Sequence, residues 1–164
     1  MSESSHLAEA LERLFSNPDL LLFNSYPSAV DGLTAEQASC APGLRLNSVW
    51  GVTLHLTICQ QFALSVLCSD AVDTNIFFAE GAWPPVRLAR DEAAWAQAKA
   101  GVLAANHALA LYVSALPYEK LEQPLPIVDV KTYAYIHDQV AHNSHHLNEI
   151  ISIRHMQGLW LEKT

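Results

Sequence analysis

The sequence is poor in the features that mark nucleic-acid-binding, disulfide-rich and disordered proteins. Charged residues make up 16% of the chain and the formal net charge is −8, whereas binding to a phosphate backbone needs a basic face. The cysteines are odd in number and have no CxxC spacing, which argues against a disulfide framework: Cys40, Cys59 and Cys68. With 51% apolar residues in a chain of 164, we expect one compact domain, residues 1–164, that does not bind nucleic acid.

Signals for secretion or membrane insertion are also missing from the sequence. Residues 1–15 are acidic and lack the basic stretch and apolar core of a secretory signal. No uninterrupted apolar run approaches the ~18 residues that a membrane span requires. These features predict a cytoplasmic, reduced protein without a membrane partner.

Helical periodicity is what the sequence has in quantity. It marks four segments, at roughly 5–26 with a break at Pro18, 47–68, 91–116 and 132–158. Asn47 or Ser48, Asp91 and Thr132 are the expected caps of the last three, and Gly158 the expected end of the fourth. The segment at 69–90 is a long connection, so we predict an all-α four-helix bundle with long crossover connections.

Two connections carry weaker signals. In LTAEQA (33–38), Thr34 followed by Gln37 three residues later predicts a short helical turn with a capping box. The stretch PIVDV (126–130) is expected to form a short extended piece.

In a bundle, core positions recur every three or four residues. On the third helix they are Trp95, Ala98, Val102, Ala105, Leu109, Tyr112 and Leu116. On the second helix they are Ser48, Val52, His55, Cys59, Phe62 and Val66. His55 is therefore expected in mid-helix, on a face that is otherwise mostly apolar.

The fourth helix has two candidate core faces. One is apolar only at its ends: Tyr135, Gln139, His142, His146, Glu149, Ile153, Met156 and Trp160. The other, roughly opposed, is apolar throughout: Tyr133, Ile136, Val140, Leu147 and Ile151. A helix with two such faces is expected deep in the bundle, and the second face leaves room for a homodimer.

His142 and His146 are four residues apart and therefore share one helix face. Two imidazoles so spaced can bind one metal ion at ~2.0–2.1 Å. His55 is the expected third ligand, because it is the only histidine of the second helix and lies at the middle of its core face. Three histidines leave coordination positions open, as in a catalytic site, and a buried histidine network without metal is the alternative. His145 points about 100° away from this face and is expected to be a flanking residue.

The segments GLTAEQASCAPGLRLNSVWGVTLHL (32–56) and VAHNSHHLNEIISIRHMQG (140–158) resemble motifs of the DinB/YfiT-like superfamily of metal-dependent enzymes. DEAAW (91–95) also fits, and the resemblance extends from about Gly32 to Trp160. It implies a four-helix bundle and a divalent ion, nickel or zinc, held by His55, His142 and His146. It also implies a cofactor for some members, since characterised relatives use low-molecular-weight thiols such as bacillithiol, mycothiol or glutathione.

Glu149 departs from the family pattern, which has glutamine at this position. Its carboxylate could orient a ligand imidazole through a hydrogen bond, bind the ion, or act as a catalytic base. Cys59 is either a further metal ligand or a small core residue. Trp50, Trp83 and Trp160 are candidates for the mouth of the pocket beside the ion, and packing within the bundle is the alternative for each.

Two classes of function follow from these residues. The first is a metal-dependent enzyme, a thiol-dependent S-transferase or a hydrolase, in which the ion acidifies a thiol or water and acts on a small-molecule substrate. The second is a non-catalytic metal- or ligand-binding bundle protein related to stress. A pocket that opens onto the ion favours the enzyme, and a sealed site favours the second class.

Overall fold

Four long helices form the frame of the molecule. The computed structural model describes residues 2–16, 24–68, 72, 81–86 and 89–161. The elements in chain order are α1 (Glu3–Ser16), α2 (Tyr26–Val30), α3 (Ala35–Ser39), α4 (Val49–Cys68), α5 (Glu92–Ser114), α6 (Tyr118–Leu121), β1 (Pro124–Leu125), β2 (Val130–Lys131) and α7 (Thr132–Met156). The break predicted at Pro18 lies outside the described residues.

The long helices do not follow one another around the bundle. Both α1 and α4 pack against α5 and α7. Two of the connections therefore join helices that are diagonal to one another, α1 to α4 and α5 to α7. The predicted four-helix bundle with crossover connections is confirmed, and this arrangement places α4 directly against α7.

Local capping signals begin three of the helices as predicted. The Thr34 and Gln37 side chains form the reciprocal capping box of α3. The Asp91 side chain accepts from the amide of Ala94 at the start of α5. Of the two candidates for α4, Ser48 is the cap, since its hydroxyl accepts from the amide of Gly51 at 3.0 Å.

The connection before α7 differs from its prediction. Thr132 is the first residue of α7 rather than its cap, and its hydroxyl donates to the carbonyl of Gln123 at 3.0 Å. The stretch 126–130 is mainly a turn between β1 and β2, whose residues pair as Pro124 with Lys131 and Leu125 with Val130. Asp129 takes a left-handed φ of 51° there, which an extended strand does not contain.

Two apolar clusters fill the bundle, and a polar layer separates them along the helices. The first cluster includes Tyr26, Trp50 and Trp95, and the second includes Leu11 and Leu109. The buried polar residues that lie between them along α4, α5 and α7 are His55, Gln60, Asn106, Asn143 and His146. The candidate site belongs to this layer.

The core faces predicted for α7 are correct near its middle and wrong at its end. Ile153 is buried, but Met156 and Trp160 are 56% and 68% exposed. On the second face Ile136 and Leu147 are buried inside the bundle, but the prediction was wrong for Tyr133, which is 39% exposed and contacts the ring of His137. That face is therefore used within the chain, and the homodimer stays a prediction without support from it.

By length and composition, α4 could cross a membrane. It has 20 residues and a mean hydropathy of 1.4 over its most apolar window, half of which is buried inside the bundle. The helix contains no Asp, Glu, Lys or Arg. Polar residues such as Thr53, His55 and Gln60 divide it into short apolar runs. Core helices of helical bundles meet the same criterion, so this property alone does not indicate a membrane span.

Candidate metal centre

Three histidine side chains meet where α4 packs against α7. His55 comes from α4, and His142 and His146 lie one turn apart on α7. The Nε2 atom of His55 is 3.3 Å from Nε2 of His142 and 3.1 Å from Nε2 of His146. One ligand atom from each of the three lies within 4.8 Å of the others, so the group could hold a metal ion.

The hydrogen bonds of two of these rings fix their tautomers. Nδ1 of His55 is 2.7 Å from the carbonyl oxygen of Ala82, and Nδ1 of His146 is 2.7 Å from Oε2 of Glu149. Both acceptors lack a proton, so each Nδ1 is the donor and each Nε2 presents a lone pair. Two lone pairs facing each other at 3.1 Å repel unless a cation or a proton lies between them.

The nitrogen separations suit a shared divalent ion. Two nitrogens each ~2.0–2.1 Å from one ion are about 2.9 Å apart at a right angle and about 3.4 Å apart at the tetrahedral angle. The separations of 3.1 and 3.3 Å lie between these values. The residues present therefore fit the ion that the resemblance implies.

His142 is held less firmly than the other two rings. Its Nδ1 is buried and has no hydrogen bond of standard geometry among the described residues. Burial first, and the neighbouring His146 and His55 rings second, lower its pKa to about 4, while the amide of Asn143 acts weakly in the opposite direction. The ring is therefore neutral at pH 7, as a metal ligand must be.

Glu149 sits behind His146, on the side away from the other two rings. Its Oε2 accepts from Nδ1 of His146, and its Oε1 accepts from the side-chain amide of Asn47 at 2.8 Å. The hydrogen bond from His146 is the main cause that lowers the pKa of this carboxyl, and the bond from Asn47 adds to it against the effect of burial. Of the three roles considered for Glu149, the hydrogen bond that orients a ligand imidazole is therefore the one that matches the observed contact. Asn47 was expected only as a cap, a role that Ser48 fills.

Cys59 and His145 flank the centre. The thiol of Cys59 lies beside the His55 ring, with Sγ 3.4 Å from Nε2, but the converging group of ligand atoms does not include it. Burial raises the pKa of this thiol to about 12, so it packs as a protonated side chain. His145 is exposed and its ring centroid is 5.0 Å from that of His146. Together with His146 and Glu149 it forms a second, more exposed group that could hold an ion.

Of the three candidate tryptophans, Trp83 lies at the site. Trp160 is 68% exposed and stacks on His155 instead. Trp50 is buried in the first apolar cluster against Trp95, with ring centroids 5.4 Å apart. It lies five residues before His55, about 140° around the helix, and so faces away from the pocket. Trp83 instead stacks on the His55 ring, with centroids 3.7 Å apart and planes within 5°. It follows Ala82, whose carbonyl accepts a hydrogen bond from the same ring. The connection before α5 therefore makes two contacts that orient His55, one through a backbone carbonyl and one through a stacked ring.

A cavity of about 460 Å³ opens onto the histidines. Its polar lining residues are His55, Cys59, Gln139 and His142. Its apolar and aromatic lining residues are Phe62, Ala82, Trp83, Val128 and Tyr135. Two of the three imidazoles thus face a space that can admit a small molecule.

The chain shares its architecture with a solved structure. It is YfiT from Bacillus subtilis, described as a probable metal-dependent hydrolase with an unusual four-helix bundle topology; the TM-score is 0.59 and the identity 19%, over 98% of this chain and 91% of that one. The chain has the YfiT-like fold. No family model matches the sequence, and neither does any curated protein. The YfiT-like architecture agrees with the sequence resemblance to the DinB/YfiT-like superfamily.

The neutral histidines make the stability of the metal-free protein dependent on pH. The pKa of His142 is about 4 in the folded chain against 6.5 for an ordinary histidine, and burial also lowers that of His55. As the pH falls from 6.5 to 4, the unfolded chain takes up protons that the folded chain excludes. Stability is therefore fully present above pH 6.5 and is lost through this window.

We expect the free energy of unfolding, measured by urea titration with a chelator present, to fall between pH 7 and pH 4.5. The glutamine of His142→Gln cannot be protonated, so this variant should lose less free energy of unfolding over the same pH range, by on the order of 1 kcal/mol. This value is smaller than the full pKa shift would give, because the ring is partly exposed to solvent. The replacement of the exposed His137 by glutamine is the control and should leave the loss unchanged. Equal pH profiles for His142→Gln and the unmodified chain would contradict the assignment.

Proposed function

We propose that this protein is a metal-dependent hydrolase in which His55, His142 and His146 hold one divalent ion. The observation that carries the proposal is that the Nε2 atoms of the three rings lie together. In two of these rings, His55 and His146, the Nδ1 proton is donated to another acceptor, which leaves Nε2 free to bind an ion. A bound divalent ion supplies Lewis acidity and lowers the pKa of water or of a thiol. Imidazole ligands suit zinc and nickel.

The residues around the triad have positioning roles. Ala82 and Trp83 orient His55 through a hydrogen bond and a stacked ring. Glu149 orients His146, and both of its oxygens already accept hydrogen bonds. Because Glu149 does not line the cavity, we assign it to positioning His146 rather than to the role of catalytic base.

A thiol-dependent transferase is the second candidate. The cavity opens onto His55 and His142, which leaves room for a thiol as well as for water next to the ion. The cavity also favours an enzyme over a non-catalytic bundle protein, because a sealed structural site needs no such opening.

The test is metal analysis of protein purified without a metal-binding tag, followed by titration with zinc and nickel. About one ion per chain is expected, together with hydrolysis of a neutral ester such as p-nitrophenyl acetate that a chelator abolishes and added metal restores. Transfer of a thiol to an electrophile, and no hydrolysis, would select the second candidate. Failure to bind any ion stoichiometrically would refute both. The exposed His137→Ala variant is the control and should bind metal normally.

A further inference from the structure

The cavity beside the histidines is lined mainly by aromatic and aliphatic side chains. The aromatic lining residues are Phe62, Trp83 and Tyr135, and the aliphatic ones are Ala82 and Val128. Rings so arranged favour a flat, apolar body over a flexible polar one, because each ring offers a face or an edge to stack against. The volume of about 460 Å³ is at the lower end of small-molecule sites.

Charged side chains are missing from the described part of this wall. None of the described lining residues is Asp, Glu, Lys or Arg. The carboxylate nearest the triad, that of Glu149, lies behind His146 and is occupied by His146 and Asn47. The proposed ion would attract an anionic group that reaches it. Away from the ion, a charged end of a ligand would lose its hydration without gaining an opposite charge from these residues, and that loss is unfavourable.

Besides Nδ1 of His142, an amide oxygen in the wall lacks a partner among the described residues. Oε1 of Gln139 is buried and accepts no hydrogen bond among the described residues. Gln139 precedes His142 by three residues and therefore lies on the same face of α7, one turn from the triad. A buried acceptor without a donor is unfavourable by ~1–3 kcal/mol. Because the Gln139 side chain lines the cavity, its rotation towards a ligand N–H or O–H would relieve this.

From these three features we infer that the cavity binds a neutral small molecule with an aromatic or similarly flat apolar body and a hydrogen-bond donor that reaches Oε1 of Gln139. This inference rests on the proposed function, since it names the substrate class of the same site. It favours neutral amides and esters with such a body and such a donor, and it disfavours ligands that carry a charged group at the end away from the ion.

Binding is tested by calorimetry with benzamide, whose N–H groups can donate to Gln139. Two analogues carry a charge at the far end of the ring, the anionic 4-sulfobenzamide and the cationic 4-(aminomethyl)benzamide. A third, N,N-dimethylbenzamide, has no donor. We expect both charged analogues to bind at least tenfold more weakly than benzamide. Equal or tighter binding of a charged analogue would overturn the inference.

Gln139→Met keeps the side-chain volume and removes the acceptor, so it should weaken benzamide binding about three- to tenfold and leave N,N-dimethylbenzamide unaffected. Gln61→Met, at an exposed position of α4, is the matched control and should change neither. If Gln139→Met does not fold, as judged by circular dichroism, the comparison of benzamide with its dimethyl analogue in the unmodified protein tests the donor instead. Binding of benzamide that does not depend on Gln139 or on a donor would overturn this part of the inference.

Each titration is performed on chelated protein and on zinc-loaded protein. Benzamide binding without any zinc binding would refute the proposed function and keep the cavity assignment. Stoichiometric zinc binding with no preference for neutral ligands would support the proposed function and overturn the cavity assignment.

Discussion

We expect the His146→Ala variant to bind zinc about a thousandfold more weakly than the unmodified protein. Structural zinc binding is worth ~10–16 kcal/mol over its full ligand set, so each imidazole contributes roughly 4 kcal/mol, about a thousandfold in affinity. His146 is also the ring anchored by Glu149 at 2.7 Å. The measurement is competition with a chelator of known zinc affinity.

Two further variants decide which group of ligands holds the ion. His55 belongs only to the buried triad, whereas His145 belongs only to the exposed group with His146 and Glu149. We expect His55→Ala to weaken zinc binding as strongly as His146→Ala does, and His145→Ala to change it less than threefold. The opposite pattern would move the ion to the exposed group. Glu149→Gln should weaken binding about 10–100-fold, the usual effect of losing a partner that orients a ligand.

The second large effect is expected in the core, at Trp95. This side chain is 1% exposed, packs against Trp50, and donates from Nε1 to the carbonyl of Leu33 at 3.0 Å. Trp95→Ala removes the ring contacts, leaves a cavity and leaves that carbonyl without its donor. We expect the free energy of unfolding to fall by about 3–5 kcal/mol.

Urea unfolding followed by circular dichroism measures this loss. Trp95→Phe retains most of the apolar contact and should lose less than the alanine variant. Trp160→Ala, at a side chain 68% exposed, is the control and should change the free energy by less than about 0.5 kcal/mol. A loss below 1 kcal/mol for Trp95→Ala would show that the ring is not part of the tight core described above.

The helices and the face that carries the triad were predictable because both depend on periodicity. On α5 the predicted positions Trp95, Val102, Ala105 and Leu109 are buried. The same rule indicated which of the closely spaced histidines on α7 share a face. It failed at Met156 and Trp160, which are 56% and 68% exposed. Trp160 stacks on His155 of α7, with ring centroids 4.3 Å apart, rather than on the core.

The parts of the site that come from connections could not be predicted in this way. Trp83 was one of three tryptophans considered for the pocket, but it lies in the long connection between α4 and α5, where no repeating pattern indicates which way a side chain points. Its contact with His55 depends on the path of the backbone, which the sequence does not encode locally. Asn47 was recognisable as polar at the start of a helix, but its partner Glu149 is 102 residues away. Long-range contacts of that kind require the tertiary arrangement.

The separation of the three histidines along the chain also determines when the centre can form. His55 is synthesised 91 residues before His146, which at ~5–20 residues per second is about 5–20 s earlier. During that interval α4 exists without the helix that brings the other two imidazoles to it. The proposed ion can therefore be held by all three imidazoles only after α7 has been translated and packs against α4. Its binding is then coupled to the docking of α7.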